Sequence, residues 1–341
     1  MTKPRTQARI AVIIPTWNAQ STLPRAVASA LAQDRVSVEV VIVDDASVDG
    51  SLDCARTLAA EDDRVQVLSQ PENRGPAAAR NRALDHISAP YVTPLDSDDF
   101  MEPGRLAQLL HIAEQDDWDF VADDLFKVPE SDVDGPRTRL WSQTDIGIQT
   151  LDFAGFVRGN LSSRHGGRRE LGFLKPLIST AFLNRTGLRY DADMRLGEDY
   201  MLYASALSRG ARFCLTDPAG YVAVTRPTSL SGQHSARDLG ALVQADRTLM
   251  AHTDLPDGDR AALREHYIET LKKWHWFRMI DAVKARDPAE ALRCFRAPPA
   301  VIGDLLGKLG EQVLIRGSAR LPFLTASGDR MKGTDKKGEN P

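Results

Sequence analysis

Ile10-Ala11-Val12-Ile13-Ile14 is an unbroken apolar run closed by Pro15. A strand with one wet face would alternate, whereas a continuous β-branched run ended by a breaker fits a strand covered on both faces, as in parallel sheets. Val38 to Val43 repeats the pattern and ends in Asp44-Asp45. Between the two, Ser21 can cap a helix whose apolar positions Leu23, Val27, Ala30 and Leu31 recur at helical spacing, which makes a βαβ unit. A helix from about Ser51 leads to a third strand, Val65 to Leu68, and a helix around Ala77 to Ile87 leads to a fourth that ends at Asp96. The expected class is α/β, with a mostly parallel central sheet and flanking helices. Every acidic group so far stands at the carboxyl end of a strand, where open α/β sheets bind their ligands.

The fourth strand runs into Asp96-Ser97-Asp98-Asp99. Carboxylates this close repel one another unless a cation sits among them, so the motif points to a divalent metal holding a phosphorylated ligand. A solvated acidic turn would read the same way. Two familiar phosphate sites are excluded: the first strand is followed by Pro15-Thr16-Trp17-Asn18-Ala19 and not by Gly-x-Gly-x-x-Gly, and Gly-x-x-x-x-Gly-Lys-Ser/Thr occurs nowhere. Phosphate must be held by metal and side chains rather than by a glycine cradle.

Ile13-Ile14-Pro15-Thr16-Trp17-Asn18, Val41-Ile42-Val43-Asp44-Asp45-Ala46-Ser47-Val48-Asp49-Gly50-Ser51, Asn73-Arg74-Gly75-Pro76-Ala77-Ala78-Ala79-Arg80-Asn81 and Asp96-Ser97-Asp98-Asp99 follow one another in this order. In order and spacing they resemble the motifs of the family-2 inverting glycosyltransferases with the A-type fold. Gly197-Glu198-Asp199-Tyr200 resembles the acidic pair that supplies the catalytic base in that family. Gly172-Phe173-Leu174-Lys175-Pro176 and Met194 to Tyr200 are similar, more narrowly, to glucosyltransferases of succinoglycan-type bacterial exopolysaccharide.

The resemblance implies a set of roles. Pro15 and Trp17 would lie beside the nucleotide of a UDP-sugar and Asp45 at the uracil edge, with Arg74 and Arg80 reaching the diphosphate or uridine. Asp96 would take the ribose, and Asp98 with Asp99 would hold Mg²⁺ or Mn²⁺ against the diphosphate. Asp199, or Glu198 in its place, would accept the proton of the attacking hydroxyl, and a single displacement inverts the anomeric centre. Arg226 and His234 resemble diphosphate contacts on a loop following a strand at Tyr221 to Val224. Each residue also has a plainer reading: Trp17 as core, Asp44 and Asp45 as a turn ahead of the Asp49-Gly50-Ser51 cap, the arginines as solvated helix charges, and the acid pair as a helix start favoured by the helix dipole.

Composition fits an enzyme of this kind. A chain of 341 residues holds a catalytic domain, expected over 1–235, a helical C-terminal extension over 236–327, and a polar, disordered tail over 328–341. A net charge of −4 argues against a nucleic-acid partner. Three scattered cysteines suggest neither disulfides nor a zinc site.

The N-terminus runs into the first strand without an apolar leader, and no window is long and apolar enough to span a bilayer, so catalysis is expected to face the cytoplasm. Lys272-Lys273-Trp274-His275-Trp276-Phe277-Arg278 and the apolar face Val301, Ile302, Leu305, Leu306, Leu309, Val313 read either as packing elements or as a peripheral contact with an anionic membrane. The basic stretch Arg164 to Arg169 reads as a solvated loop or a contact with a lipid diphosphate. The implied acceptor is a polyprenyl-diphosphate-linked oligosaccharide in surface polysaccharide synthesis. Two other functions share these features: a sugar nucleotidyltransferase, and a sugar-nucleotide-binding scaffold without turnover.

Overall fold

The computed structural model describes residues 9–161, 170–226, 235–252 and 254–318. The first half lays down β1 (Ile10–Thr16), α1 (Leu23–Leu31), β2 (Val38–Asp44), α2 (Ser51–Glu61), β3 (Val65–Ser69), α3 (Gly75–Leu84) and β4 (Tyr91–Pro94). These strands stand side by side in the order β3-β2-β1-β4, all parallel. Right-handed crossovers put α1 and α2 on one face and α3, whose connection runs back across the sheet, on the other. The apolar run Ile10 to Ile14 is almost wholly buried, as a strand covered on both faces should be. Pro15 lies past the last β1–β4 pair, Ile13 with Pro94, so it interrupts no ladder on that side.

Helix α1 buries Leu23, Ala26, Val27 and Ala30. It starts without a side-chain cap: the amides of Thr22 and Leu23 both donate to the Ala19 carbonyl, and the expected cap at Ser21 is not used.

The chain continues through β5 (Phe100–Met101), α4 (Arg105–Gln115), β6 (Phe120–Asp123), β7 (Phe126–Pro129), β8 (Thr138–Arg139), β9 (Gln149–Thr150), α5 (Phe153–Arg158), β10 (Leu177–Ser179), α6 (Thr180–Thr186), α7 (Glu198–Ser208), β11 (Phe213–Thr216) and β12 (Tyr221–Thr225). Strand β10 enters antiparallel between β4 and β6, so the eight-stranded sheet β3-β2-β1-β4-β10-β6-β11-β9 is mixed beyond its first four strands. A second sheet, β5-β12-β7-β8, stands beyond the acidic turn that follows β4. Phe120, Phe156, Tyr203 and Phe213 meet in the core at ring separations of 5.2 to 6.2 Å.

Four helices follow: α8 (Ala236–His252), α9 (Asp257–Ala285), α10 (Pro288–Arg293) and α11 (Pro299–Ser318). The compact units of the chain divide between Phe277 and Arg278, inside α9, whereas the expected boundary lay at 235. The first unit therefore includes α8 and most of α9. Tyr200 of α7 donates to Asp246 of α8 at 3.2 Å, His266 of α9 bonds Asp246 at 2.8 Å, and its ring stacks on Tyr200 at 4.4 Å. Among the described residues no helix is long and apolar enough to cross a membrane.

Candidate active site

Two elements bring acidic groups together: the turn after β4 and the first turn of α7. Gly197, at φ 82°, makes the left-handed entry to α7 that a side chain would strain. Glu198 and Asp199 follow at the positive end of the helix dipole. Arg80, buried on α3, donates through Nη1 to Glu198 Oε1 and through Nη2 to Asp96 Oδ1, each at 2.8 Å, and its Nη1 lies 3.5 Å from Asp199 Oδ1. Its guanidinium also lies over the Tyr190 ring at 5.4 Å. From the β10 side, Lys175 Nζ donates to Asp199 Oδ2 at 2.7 Å and stands 3.1 Å from Asp96 Oδ2.

These charges set one another. Burial alone would raise the Asp96 carboxyl, but Lys175 and Arg80 outweigh it and hold the group at about 2. Glu198 goes the other way: burial and the neighbouring Asp199 charge raise it against the pull of Arg80. Asp199 Oδ1 is buried without a hydrogen-bond partner.

The three aspartates after β4 point to three places. Asp96 joins the cluster just described. The Asp98 side chain is 38% exposed, with Arg226 Nη2 at 3.3 Å, and its main-chain carbonyl accepts from Arg25 of α1. Burial and the Asp96 charge raise Asp98, opposed by Arg226. Asp99 is turned into β12, where Oδ2 accepts from the Tyr221 hydroxyl and Oδ1 from the Val224 amide, each at 2.8 Å. Both of its oxygens accept from the second sheet, and Asp98 is the more exposed of the two carboxylates. Among the described residues no three His, Cys, Asp or Glu side chains converge to hold a metal by themselves.

At the end of β2, Asp45 Oδ1 accepts from Gln70 Nε2 and the Arg74 amide, and Oδ2 from the Gly75 amide, at 2.7 to 2.8 Å. Gly75, at φ 86°, turns its N–H onto Asp45 as α3 begins. A carboxylate has about four acceptor positions, of which these bonds fill three. Trp17, just past β1, is 49% exposed and is not a core aromatic.

Residues 11–183 match the family model for glycosyl transferase family 2. The chain belongs to glycosyl transferase family 2. Succinoglycan biosynthesis protein ExoU of Rhizobium meliloti (strain 1021) is 41% identical over a stretch covering 94% of this chain and 93% of that protein. Among solved structures, S. aureus TarS 1–349 in complex with UDP-GlcNAc aligns at a TM-score of 0.63 and 19% identity, covering 84% of this chain and 79% of its own. Mannosyltransferase PcManGT from Pyrobaculum calidifontis, in complex with GDP-Man and Mn²⁺, aligns at 0.57 and 18%, covering 94% and 82%. At such identities the likeness speaks for the fold, which is the A-type glycosyltransferase fold.

In this family-2 glycosyltransferase the motifs quoted from the sequence gather at the carboxyl ends of β1, β2 and β4. Arg74 contributes its amide to Asp45 while its side chain is exposed. Arg226, also 3.0 Å from Glu130, reaches the acidic turn; His234 and Arg164 to Arg169 lie outside the described residues. The Lys272 to Phe277 stretch is half-buried or buried, with Lys272 paired to Glu269.

Sequence reasoning missed the supports of this transferase site. Arg105, fully buried, pairs with Asp123 Oδ1 at 2.6 Å and donates to the Lys175 carbonyl at 2.6 Å, while Asp123 Oδ2 accepts three amides from Ala219 to Tyr221. The signal available for Lys175 was its place in the Gly172 to Pro176 motif.

Proposed function

We propose that this enzyme transfers a sugar, with glucose the first candidate, from a UDP-sugar to a lipid-linked oligosaccharide, with inversion, in exopolysaccharide assembly. The observation that carries the reading is the reach of Arg80. One buried guanidinium spans Asp96 on the donor side and Glu198 of the acid pair, so both halves of a displacement meet at one cation. Asp199 Oδ1 is the proton acceptor: the acceptor oxygen bonds to the anomeric carbon, its proton passes to Oδ1, and the bond to the diphosphate breaks with its electrons leaving on UDP. Asp96 takes the ribose, Asp45 the uracil edge, and Trp17 and Pro15 flank the base. Arg226 reaches the diphosphate beside Asp98.

The residues present fit a hard divalent cation, Mg²⁺ or Mn²⁺. Asp98 is partly exposed, burial and the Asp96 charge raise it, and such ions take one or two carboxylates with the remainder from substrate phosphates. A cation held by Asp98 would neutralise charge on the departing diphosphate.

The exopolysaccharide context rests on the likeness to ExoU, and the nucleotide-sugar donor is supported by the ligands in the TarS and PcManGT structures. A lipid-linked acceptor brings the enzyme to the inner face of the cytoplasmic membrane, and exposed Leu306, Val313 and Leu314 on α11 favour peripheral attachment.

The purified protein is tested against UDP-sugars with NMR of the product's anomeric configuration. UDP release with inversion is expected. Pyrophosphate release would mark a nucleotidyltransferase, and binding without turnover a scaffold.

A further inference from the structure

One buried cation of the site has no part in the mechanism above. Lys175 is 6% exposed, and an ammonium so enclosed is costly unless carboxylates hold it. Its partners are Asp199 Oδ2 at 2.7 Å and Asp96 Oδ2 at 3.1 Å. Burial works against its charge, but Asp199 and Asp96 prevail and raise it above the ordinary lysine range. The main chain around it is also fixed: Tyr203 donates to the Leu174 carbonyl at 2.9 Å and Arg105 to that of Lys175 at 2.6 Å. The ammonium thus stands on a held segment and grips one oxygen of Asp199, leaving the other, Oδ1, without a hydrogen bond.

We infer that Lys175 is a positioning residue, which anchors Oδ2 of Asp199 and so presents Oδ1 to the acceptor hydroxyl. The inference rests on Asp199 being the base. Asp199 is held at Oδ2 by the ammonium of Lys175, whereas Glu198 is held at Oε1 by Arg80. Asp199 is faced by Lys175, by Arg80 from α3, by Asp96 after β4, by Tyr190, and by Glu198 and Tyr203 of its own helix. Lys175 is the nearest cation, so its loss frees the carboxylate.

The test follows UDP release from UDP-glucose with water as acceptor, and UDP binding by calorimetry. Lys175→Met should lower kcat by about tenfold to a hundredfold, the scale of a misplaced catalytic group, and UDP affinity by less, since Arg80 still holds Asp96. In an Asp199→Asn background the same change should add almost nothing.

Retained kcat, a full added loss on top of Asp199→Asn, or lost UDP affinity at unchanged kcat would each overturn the inference. Should Lys175→Met not fold, Lys175→Arg decides: the charge stays but a planar fork replaces the point donor, so kcat should fall at unchanged UDP affinity, and an unchanged kcat rejects the role. A parent that binds UDP without turnover sinks the transferase reading and this inference with it. An active parent with Asp199→Asn inactive and Lys175→Met fully active sinks this inference alone.

Discussion

Arg80 donates to Glu198 Oε1 across 2.8 Å, while the same nitrogen stands 3.5 Å from Asp199 Oδ1. The acid pair is thereby divided: one member is an ion-pair partner, and the other keeps an oxygen without a hydrogen bond.

Asp199→Asn should therefore keep the fold and UDP affinity and lose at least about a hundredfold in turnover, since the amide matches the carboxylate in shape but takes no proton. Glu198→Gln should cost less, through weaker pairing with Arg80. Steady-state kinetics of both variants decide, and the reverse order would move the base to Glu198.

Asp98→Ala should abolish the dependence of UDP binding on a divalent cation. Calorimetry of parent and variant, with Mn²⁺ and with chelator, checks this. UDP affinity of the parent that chelator leaves unchanged would remove the metal role.

Asp96 carries a pH signature. Its folded carboxyl is held at about 2, below the ordinary value, so its contribution to stability is present above about pH 4 and is lost as pH falls toward 2. Urea midpoints between about pH 4.5 and 3 should fall less steeply for Asp96→Asn than for the parent. Equal slopes would show that the two cations do not hold the group down.

Arg105→Met should destabilise the protein by about 3–5 kcal/mol, because it leaves Asp123 charged and buried without its partner. It also releases the Lys175 carbonyl. Thermal unfolding measures the first effect, and kcat at a temperature where the variant is folded measures the second.

Membrane attachment is tested by flotation with anionic and neutral vesicles at low and high salt. Salt-sensitive flotation with anionic lipid is expected, and charges placed at Leu306 and Val313 should weaken it. Parent protein that stays at the bottom of the gradient would make α11 an ordinary packing helix.

Much of this was legible where burial dictates residue type. Ile10 to Ile14 and Val38 to Val43 could be read because both faces of their strands are covered, leaving Glu39 as the one polar residue in the two runs. Phe120–Asp123 and Phe213–Thr216 are four-residue strands, too short for periodicity to distinguish from a buried helix turn. The acidic motifs announced chemistry but not direction: nothing local in Asp96-Ser97-Asp98-Asp99 says that Asp99 faces β12, because that follows from Tyr221 and Val224 far along the chain. Lys175 was hidden for the same reason, since a single lysine in a loop motif reads as a solvated charge until its carboxylates arrive from two other elements.

The Tyr200–Asp246–His266 cluster bears on how this enzyme can be cut and recombined. Tyr200 directly follows Asp199, and its hydroxyl is shared with residues of α8 and α9. A chimaera joined to a relative at residue 235 would separate Tyr200 from both partners and set Asp199 beside a mismatched neighbour. A junction after Phe277 leaves the three together, beside the helix that bears the acid pair.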